Sequence, residues 1–192
     1  MNTLFRAEAL SPQLYSIRER IHRHPEIGNR EFETAALVEE TLRELGIRYI
    51  FSDIDNTLAT YDDSVPPPET EKWLGKVRDK GISVIFVSNN DRGRVEKFAN
   101  AAGLPCYWKA AKPATKVLRQ AMSDAGAKPE NSLLFGDQLL TDAAAGRRLG
   151  MRVFIVPPIR DKRSVFFRFK RRIEKPYLKK YHKTKKERKG DL

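Results

Sequence analysis

Between about residues 48 and 159, short runs of apolar residues alternate with longer stretches in which apolar residues recur at helical spacing. The short runs predict strands, and the stretches between them predict helices. The predicted strands are 48–52, 83–88, 133–135 and 152–156, with a weaker one at 105–108, and the predicted helices lie around 69–80, 91–102, 114–125 and 139–149. Short apolar strands separated by helices are typical of a parallel sheet with helices on both faces, so this region predicts an α/β domain.

The residues before this region predict two helices. Ser11 and Pro12 suit the start of the first helix, and its apolar face follows at helical spacing with Leu14, Ile17 and Ile21. The second helix carries apolar residues from Phe32 to Leu45 and is closed by Gly46. The pattern thus divides the chain into a helical segment at 1–47, an α/β domain at 48–159 and a C-terminal extension at 160–192.

The C-terminal extension, residues 160–192, carries nearly all of the net charge. It holds 15 of the 37 Lys and Arg residues but only 4 of the 25 Asp and Glu residues, in a chain whose formal net charge is +12. Aromatic residues are interleaved with these cations. Three interpretations stay open: a partly disordered solubilising extension, a segment that binds an anionic membrane, and a segment that binds RNA through its phosphates.

The composition also bounds the class of protein. Apolar residues make up 40% of the chain, which is enough for a real core. No apolar run approaches the length that spans a bilayer, and the N-terminus lacks the apolar region of a signal peptide. Cys106 is the single cysteine, which excludes an internal disulfide and a cysteine-rich zinc site. We therefore expect a cytoplasmic protein, with peripheral membrane contact as an option for the extension.

Polar side chains follow four of the predicted strands, at the point where each strand ends. They are Asp53 and Asp55 after the first, Ser88 after the second, Lys112 after the weaker one, and Asp137 with Asp142 after the next. Because right-handed crossovers place the carboxyl ends of parallel strands at one edge, these groups are expected to meet there. Paired carboxylates can hold a hard cation, and one of them can attack an electrophile.

The four segments, in this order, resemble the haloacid dehalogenase-like superfamily of phosphoryl-transfer enzymes. The resemblance is carried by Asp55-Asn56-Thr57-Leu58, Val87-Ser88-Asn89-Asn90, Ala111-Lys112-Pro113 and the stretch from Gly136 to Asp142. It narrows to the YqeG family of subclass IIIA phosphatases, which is related to phosphatidylglycerophosphate phosphatases, and covers residues 48–175. It implies a Rossmann-like core, Mg²⁺ as cofactor and a phosphorylated substrate.

The resemblance also implies roles for the acidic residues. Asp53 would be the nucleophile that forms an aspartyl-phosphate, and Asp55 would be the general acid and then the general base. The carboxylates of Asp53 and Asp137 would hold Mg²⁺ together with the backbone carbonyl of Asp55. Asp142 would orient this metal shell or bind the ion through water.

The remaining residues of the resemblance would bind phosphate. Ser88 and Lys112 would contact the phosphoryl oxygens, with Thr57 and Asn89 as supporting polar groups. The gaps between the four segments are too short to hold a capping domain, so an open site is expected. Such a site suits a bulky or surface-bound phosphate monoester, for which a phosphatidylglycerophosphate-like lipid is one candidate.

Residues 7–47 resemble a different family. The stretch from Arg18 to Glu26, followed by the stretch from Glu31 to Val38, is similar to the helical start of M20-type amidohydrolases. The metal ligands of those enzymes come later in the chain and have no counterpart here. We interpret residues 1–47 as an amidohydrolase-like fragment fused to the phosphatase-like domain, without amidohydrolase activity.

One alternative belongs to a different class of function. The α/β domain could be a non-catalytic scaffold, with the basic extension binding RNA or an anionic membrane. The intact pair Asp53 and Asp55 favours the enzyme. Each polar residue by itself has an ordinary explanation as a turn, cap or surface residue, and only the combination of four segments favours chemistry.

Overall fold

The computed structural model describes Leu42, residues 45–156 and residues 158–159. The helices predicted within 1–47 and the extension at 160–192 therefore lie, apart from Leu42 and the residues from 45 onward, outside the described residues. Their predicted structure, the M20-type resemblance and the proposed membrane or RNA contacts stay predictions. Within the described residues, no helix is both long enough and apolar enough to span a membrane.

Five parallel strands form one sheet. They are β1 (Tyr49–Ser52), β2 (Ser83–Val87), β3 (Cys106–Tyr107), β4 (Ser132–Gly136) and β5 (Arg152–Ile155). Their order across the sheet is β3-β2-β1-β4-β5, and all four pairings are parallel. β1 therefore lies in the middle, and the order reverses beside it, which is where open α/β sheets bind ligands. The predicted α/β fold with a parallel sheet is confirmed.

Four α-helices connect the strands: α1 (Pro68–Asp79), α2 (Arg92–Ala102), α3 (Lys116–Asp124) and α4 (Ala144–Leu149). Local sequence explains their ends. Pro68 occupies the first turn of α1, the side chain of Asp91 accepts the Arg94 N–H at the start of α2, and Gly103 ends α2 with a φ of 64°. Between Asp53 and β2, and between Lys112 and β4, the described residues form loops, single helices and one short 3₁₀ turn, so neither span holds a capping domain.

The helix predicted at 139–149 begins differently from the expectation. Its first turn, Leu139–Ala143, is a π-helix, and only Ala144–Leu149 is α-helical. The backbone N–H groups of Asp142 and Ala143 both donate to the carbonyl of Gln138, at 2.9 and 3.2 Å. The Asp142 carboxylate also folds back to accept the Gln138 N–H at 3.1 Å. The wider turn thus occurs where the Asp142 side chain is directed toward the end of β4. Such π-helical turns are frequent at functional sites.

Two apolar clusters fill the two faces of the sheet. Because neighbouring residues of a strand point to opposite faces, Ile50 lies in one cluster and Phe51 in the other. The first cluster packs α1 and α2 against the sheet and includes Phe86 and Phe98, while the second packs α3 and α4. Leu42 is 4% exposed and belongs to the first cluster. Burial on both faces fixes the strand ends, and with them the polar groups that follow.

Candidate active site

The chain turns sharply just after β1. Asp55 forms an isolated bridge with Ala59, the Asn56 N–H donates to the Ala59 carbonyl at 2.7 Å, and the N–H groups of 57, 58 and 59 converge on the Ile54 carbonyl. Asn56 has a φ of 61°, in the left-handed region that asparagine tolerates better than most residues. This turn keeps Asp53 and Asp55 together at the carboxyl edge of the sheet, both about nineteen-twentieths buried.

Three carboxylates converge at this edge. Asp53 follows β1, Asp137 follows β4, and Asp142 lies within the π-helical turn after β4. One carboxylate oxygen from each of the three lies within 4.8 Å of the others. Burial, followed by the charge of Asp142, raises the pKa of Asp53 to about 6, although Lys112 opposes the shift. Burial, followed by the charges of Asp53 and Asp142, raises the pKa of Asp137 to about 7. Like charges held this close indicate a site that needs a cation.

The Asp137 carboxylate shows that need most directly. Its Oδ1 atom is buried and accepts no hydrogen bond from the described residues. An ionised oxygen without a partner is costly to bury, unless a cation completes its coordination. Carboxylate oxygens are the ligands that Mg²⁺ prefers, so the donor set fits this ion.

Lys112 supplies a fixed positive charge beside two of these acids. Its side chain is completely buried, with Nζ 2.7 Å from Asp142 Oδ1 and 3.3 Å from Asp53 Oδ2. Burial would lower the pKa of Lys112, but the charges of Asp53 and Asp142 outweigh it and raise the pKa above its ordinary value. Lys112 is therefore an ammonium ion held next to the predicted nucleophile.

Gly136 makes room for this arrangement. A Cβ atom at position 136 would lie 2.4 Å from Cγ of Asp142, which is closer than real Cβ contacts. Only glycine therefore allows the Asp142 side chain to pass beneath the end of β4 and reach Lys112.

Asn89 holds the backbone of Lys112 at both of its polar groups. Its Nδ2 donates to the Lys112 carbonyl at 3.0 Å, and its Oδ1 accepts the Lys112 N–H at 2.7 Å. Both ends of the amide are thus engaged by the loop that carries Lys112. The structure gives Asn89 a part in placing Lys112, and a direct contact with phosphate stays a prediction.

Two hydroxyl groups lie close to the sheet edge, as the sequence predicts. Ser88 is 2% exposed, and its Oγ accepts the Asn90 N–H at 3.2 Å. Thr57 is 7% exposed, and its Oγ1 has no hydrogen-bond partner among the described residues. Thr57 lies in the turn after β1 and Ser88 directly follows β2, so both are candidates for contacting an anion beside Lys112.

The carboxylate of Asp55 binds two side chains that the sequence analysis gave no role. Arg94 donates to Oδ1 from Nε at 3.3 Å and from Nη2 at 3.0 Å, and Asn90 donates to Oδ2 at 3.0 Å. Asp55 is absent from the three-carboxylate cluster. Asp55 could thus contact a metal through its backbone carbonyl, because its carboxylate is bound by Arg94 and Asn90. The sequence carries only a weak signal for Arg94: a cation in the first turn of a helix opposes the helix dipole, but Arg92 in the same turn does so equally.

Tyr61 lies near the same acids. Burial raises the pKa of the Tyr61 phenol to about 12, and the charges of Asp55, Asp137 and Asp53 raise it in the same direction. The loop after Asp55 therefore brings an aromatic side chain to the site.

Comparisons with known proteins agree with this geometry. A model of the family described as "Hydrolase: haloacid dehalogenase-like hydrolase" matches residues 2–150. "Probable phosphatase YqeG" from Bacillus subtilis (strain 168) is 34% identical over 142 residues, which are 74% of this chain and 83% of the relative. A solved structure of an uncharacterized protein from Listeria monocytogenes serotype 4b shares the fold, with a TM-score of 0.50, 14% identity and coverage of 62% of this chain and 85% of that one. The chain therefore belongs to the haloacid dehalogenase-like hydrolase family, as a member of the YqeG type.

Proposed function

We propose that this protein, a phosphatase of the YqeG type, hydrolyses a phosphate monoester through an aspartyl-phosphate on Asp53 and that it depends on Mg²⁺. The observation that carries the proposal is the cluster of Asp53, Asp137 and Asp142 with the buried ammonium of Lys112 against two of them. An anionic ester repels a carboxylate nucleophile, so the site must bring positive charge to the point of attack. Lys112 supplies one positive charge there, and a cation held by the three carboxylates would supply the rest.

The ion would be held by Asp53 and Asp137, with Asp142 and the backbone carbonyl of Asp55 beside it. When bound, Mg²⁺ supplies positive charge that neutralises the phosphoryl oxygens and aligns them for attack. The unpartnered Oδ1 of Asp137 and the raised pKa values of Asp53 and Asp137 support this choice. The oxygen donors support a hard divalent cation, and the proposal of Mg²⁺ among such ions follows the family resemblance.

The residues of the chain divide the reaction between them. An oxygen of Asp53 attacks phosphorus, the bond from phosphorus to the ester oxygen breaks, and Asp55 gives that oxygen a proton. Water then attacks the phosphoryl group, Asp55 takes a proton from the water, and Asp53 is released. Lys112 and the hydroxyls of Ser88 and Thr57 stabilise the phosphoryl oxygens in both steps.

The open edge of the sheet bears on the choice of substrate. The described spans between the four segments hold no capping domain, so a large group attached to the phosphate can stay outside the site. This supports a bulky or surface-bound phosphate monoester. A phosphatidylglycerophosphate-like lipid, suggested by the family resemblance alone, stays one candidate among such esters.

Removal of the metal tests the proposal. Purified protein should hydrolyse p-nitrophenyl phosphate with Mg²⁺ and lose at least about 100-fold in rate with EDTA, because the anionic nucleophile and ester then repel each other. Excess Mg²⁺ added after EDTA should restore the rate. Full turnover in EDTA would refute metal dependence. No turnover of aryl, alkyl or lipid phosphates by folded, Mg²⁺-loaded protein would favour the non-catalytic alternative.

The acidic cluster also predicts a pH dependence of stability. The folded pKa values of about 6 for Asp53 and about 7 for Asp137 exceed the ordinary value of 3.8. Between pH values of about 4 and about 7, the folded state therefore binds more protons than the unfolded state. The metal-free protein should therefore lose stability as pH rises from about 4 to about 7 and then level off. Mg²⁺ needs the ionised carboxylates, so it should raise Tm more at pH 8 than at pH 5.

Thermal unfolding with and without Mg²⁺ measures this effect. At about 100 times Kd the ion should add about 2.7 kcal/mol at pH 8. Asp137→Asn should reduce both the pH dependence and the stabilisation by Mg²⁺, whereas Asp79→Asn, at the exposed end of α1, should change neither. An equal rise in Tm at both pH values would contradict the predicted site.

A further inference from the structure

The Asp55 carboxylate and the side chain of Arg94 form a largely buried ion pair at the site. The two residues are 39 positions apart in the chain, and their side chains are 6% and 15% exposed. Arg94 Cζ also lies 5.8 Å from the ring centre of Phe98, a fully buried residue one turn further along α2. The guanidinium therefore packs on the Phe98 ring and pairs with Asp55, and the two contacts together fix its orientation.

The distribution of donors on Asp55 is unequal. Oδ1 accepts two N–H groups from Arg94, and Oδ2 accepts one from Asn90. A carboxylate oxygen has two lone pairs. Oδ1 is thus fully occupied, whereas Oδ2 keeps one lone pair that can carry a proton.

Arg94 also binds the loop of residues 60–63. It donates to the carbonyl of Thr60 from Nη2 at 2.8 Å and to the carbonyl of Asp63 from Nη1. The loop is closed on itself, since the Asp63 carboxylate accepts both the N–H and the hydroxyl of Thr60, at 2.7 and 2.6 Å. One planar side chain therefore connects the acid/base residue to the loop that carries Tyr61.

We propose that Arg94 is a positioning residue for proton transfer: it occupies Oδ1 of Asp55, leaves Oδ2 as the atom that exchanges the proton, and fixes Asp55 against the 60–63 loop. This inference rests on the proposed function, in which Asp55 protonates the leaving oxygen and then deprotonates water. In the first step the proton on Oδ2 passes to the ester oxygen as the bond to phosphorus breaks. In the second, Oδ2 takes a proton from the attacking water.

The geometry also explains why lysine would replace Arg94 only in part. A guanidinium offers five N–H donors in a planar fork, and Arg94 uses Nε, Nη1 and Nη2 toward three acceptors that belong to two segments of chain. A lysine ammonium is a single point of charge and would keep the attraction to Asp55 without holding all three acceptors. Charge and geometry can therefore be separated by substitution.

The test compares two leaving groups in Arg94→Met and Arg94→Lys, with Mg²⁺ present. An alkyl phosphate needs a proton on its leaving oxygen, whereas p-nitrophenolate leaves without one. In Arg94→Met we expect kcat/KM for the alkyl phosphate to fall by about 100-fold, the scale of a misplaced catalytic group, with a much smaller fall for p-nitrophenyl phosphate. Arg94→Lys should recover part of the loss, and KM should change little.

Arg92→Met is the matched control, because it removes an exposed arginine from the same turn of α2. It should leave both rates unchanged. In an Asp55→Asn background, Arg94→Met should add no further loss with the alkyl phosphate, because Arg94 acts through Asp55. Thermal unfolding of each variant shows whether a loss of activity comes from misfolding or from a displaced Asp55 carboxylate. If Arg94→Met is unfolded, Arg94→Lys takes its place in the comparison of the two substrates.

Each other outcome is decisive. Equal losses for the two substrates, or an additional loss in the Asp55→Asn background, would show that Arg94 only holds the loop. Wild-type kcat/KM in folded Arg94→Met would refute the positioning role while leaving the proposed function intact. Wild-type kcat/KM for the alkyl phosphate in Asp55→Asn would instead overturn the acid/base role in the proposed function itself.

Discussion

Asn in place of Asp53 should abolish turnover, by about 10⁴-fold or more, while the protein stays folded. An amide is nearly the same size as a carboxylate but cannot attack phosphorus, so no covalent intermediate forms. Stability should not fall, because burial and the charge of Asp142 outweigh Lys112 and disfavour the ionised form of Asp53, while Lys112 keeps its ion pair with Asp142. We therefore expect the Tm in EDTA at pH 8 to equal or exceed that of the wild type.

Steady-state hydrolysis of p-nitrophenyl phosphate and acid-quenched labelling measure the two halves of this prediction. The wild type, quenched during turnover, should carry a phosphoryl group on the peptide that contains Asp53, and the Asn variant should carry none. Asp79→Asn, at the end of α1, should behave like the wild type. Substantial turnover by Asp53→Asn, or a label on another residue, would rule out Asp53 as the nucleophile.

The parts of the fold that the sequence predicts are those set by local pattern. The central strands of a parallel sheet are buried on both faces, so β1, β2 and β4 appear as unbroken apolar runs. Chain connectivity then places whatever follows each strand at one edge, which is why the sequence alone groups Asp53, Asp137 and Lys112. β3 is only two residues long and half-buried, and its sequence signal was correspondingly weak.

The parts that escaped prediction depend on contacts between loops. Arg94 reaches Asp55 and the carbonyls of Thr60 and Asp63 across more than thirty residues of chain, and no periodic pattern records such a contact. The amide of Asn89 likewise binds the backbone of Lys112, 23 residues away. The sequence identified chemical groups at the strand ends, and the structure adds the residues that orient them.

Replacing Lys112 by Met should both destabilise the protein and impair catalysis. The side chain is fully buried between Asp53 and Asp142, and its removal leaves two buried carboxylates without their cation. Removing one partner of a buried ion pair costs about 3–5 kcal/mol. Lys112 also lowers the pKa of Asp53, so in the variant that pKa should rise further and the nucleophile should be protonated at neutral pH. Activity should fall by at least about 100-fold at pH 7, as when one transition-state contact is lost, and the remaining activity should rise toward higher pH.

Urea unfolding in EDTA and a pH–rate profile with Mg²⁺ distinguish the two effects. Lys116→Met, an exposed position in the first turn of α3, is the matched control and should change neither measurement. Adding Asp142→Asn to Lys112→Met removes one of the uncompensated charges, so it should regain part of the lost stability without restoring activity. A free energy of unfolding within about 1 kcal/mol of the wild type would contradict the predicted loss of stability. Wild-type activity in Lys112→Met would mean that Lys112 neither lowers the pKa of Asp53 nor contacts the phosphoryl group.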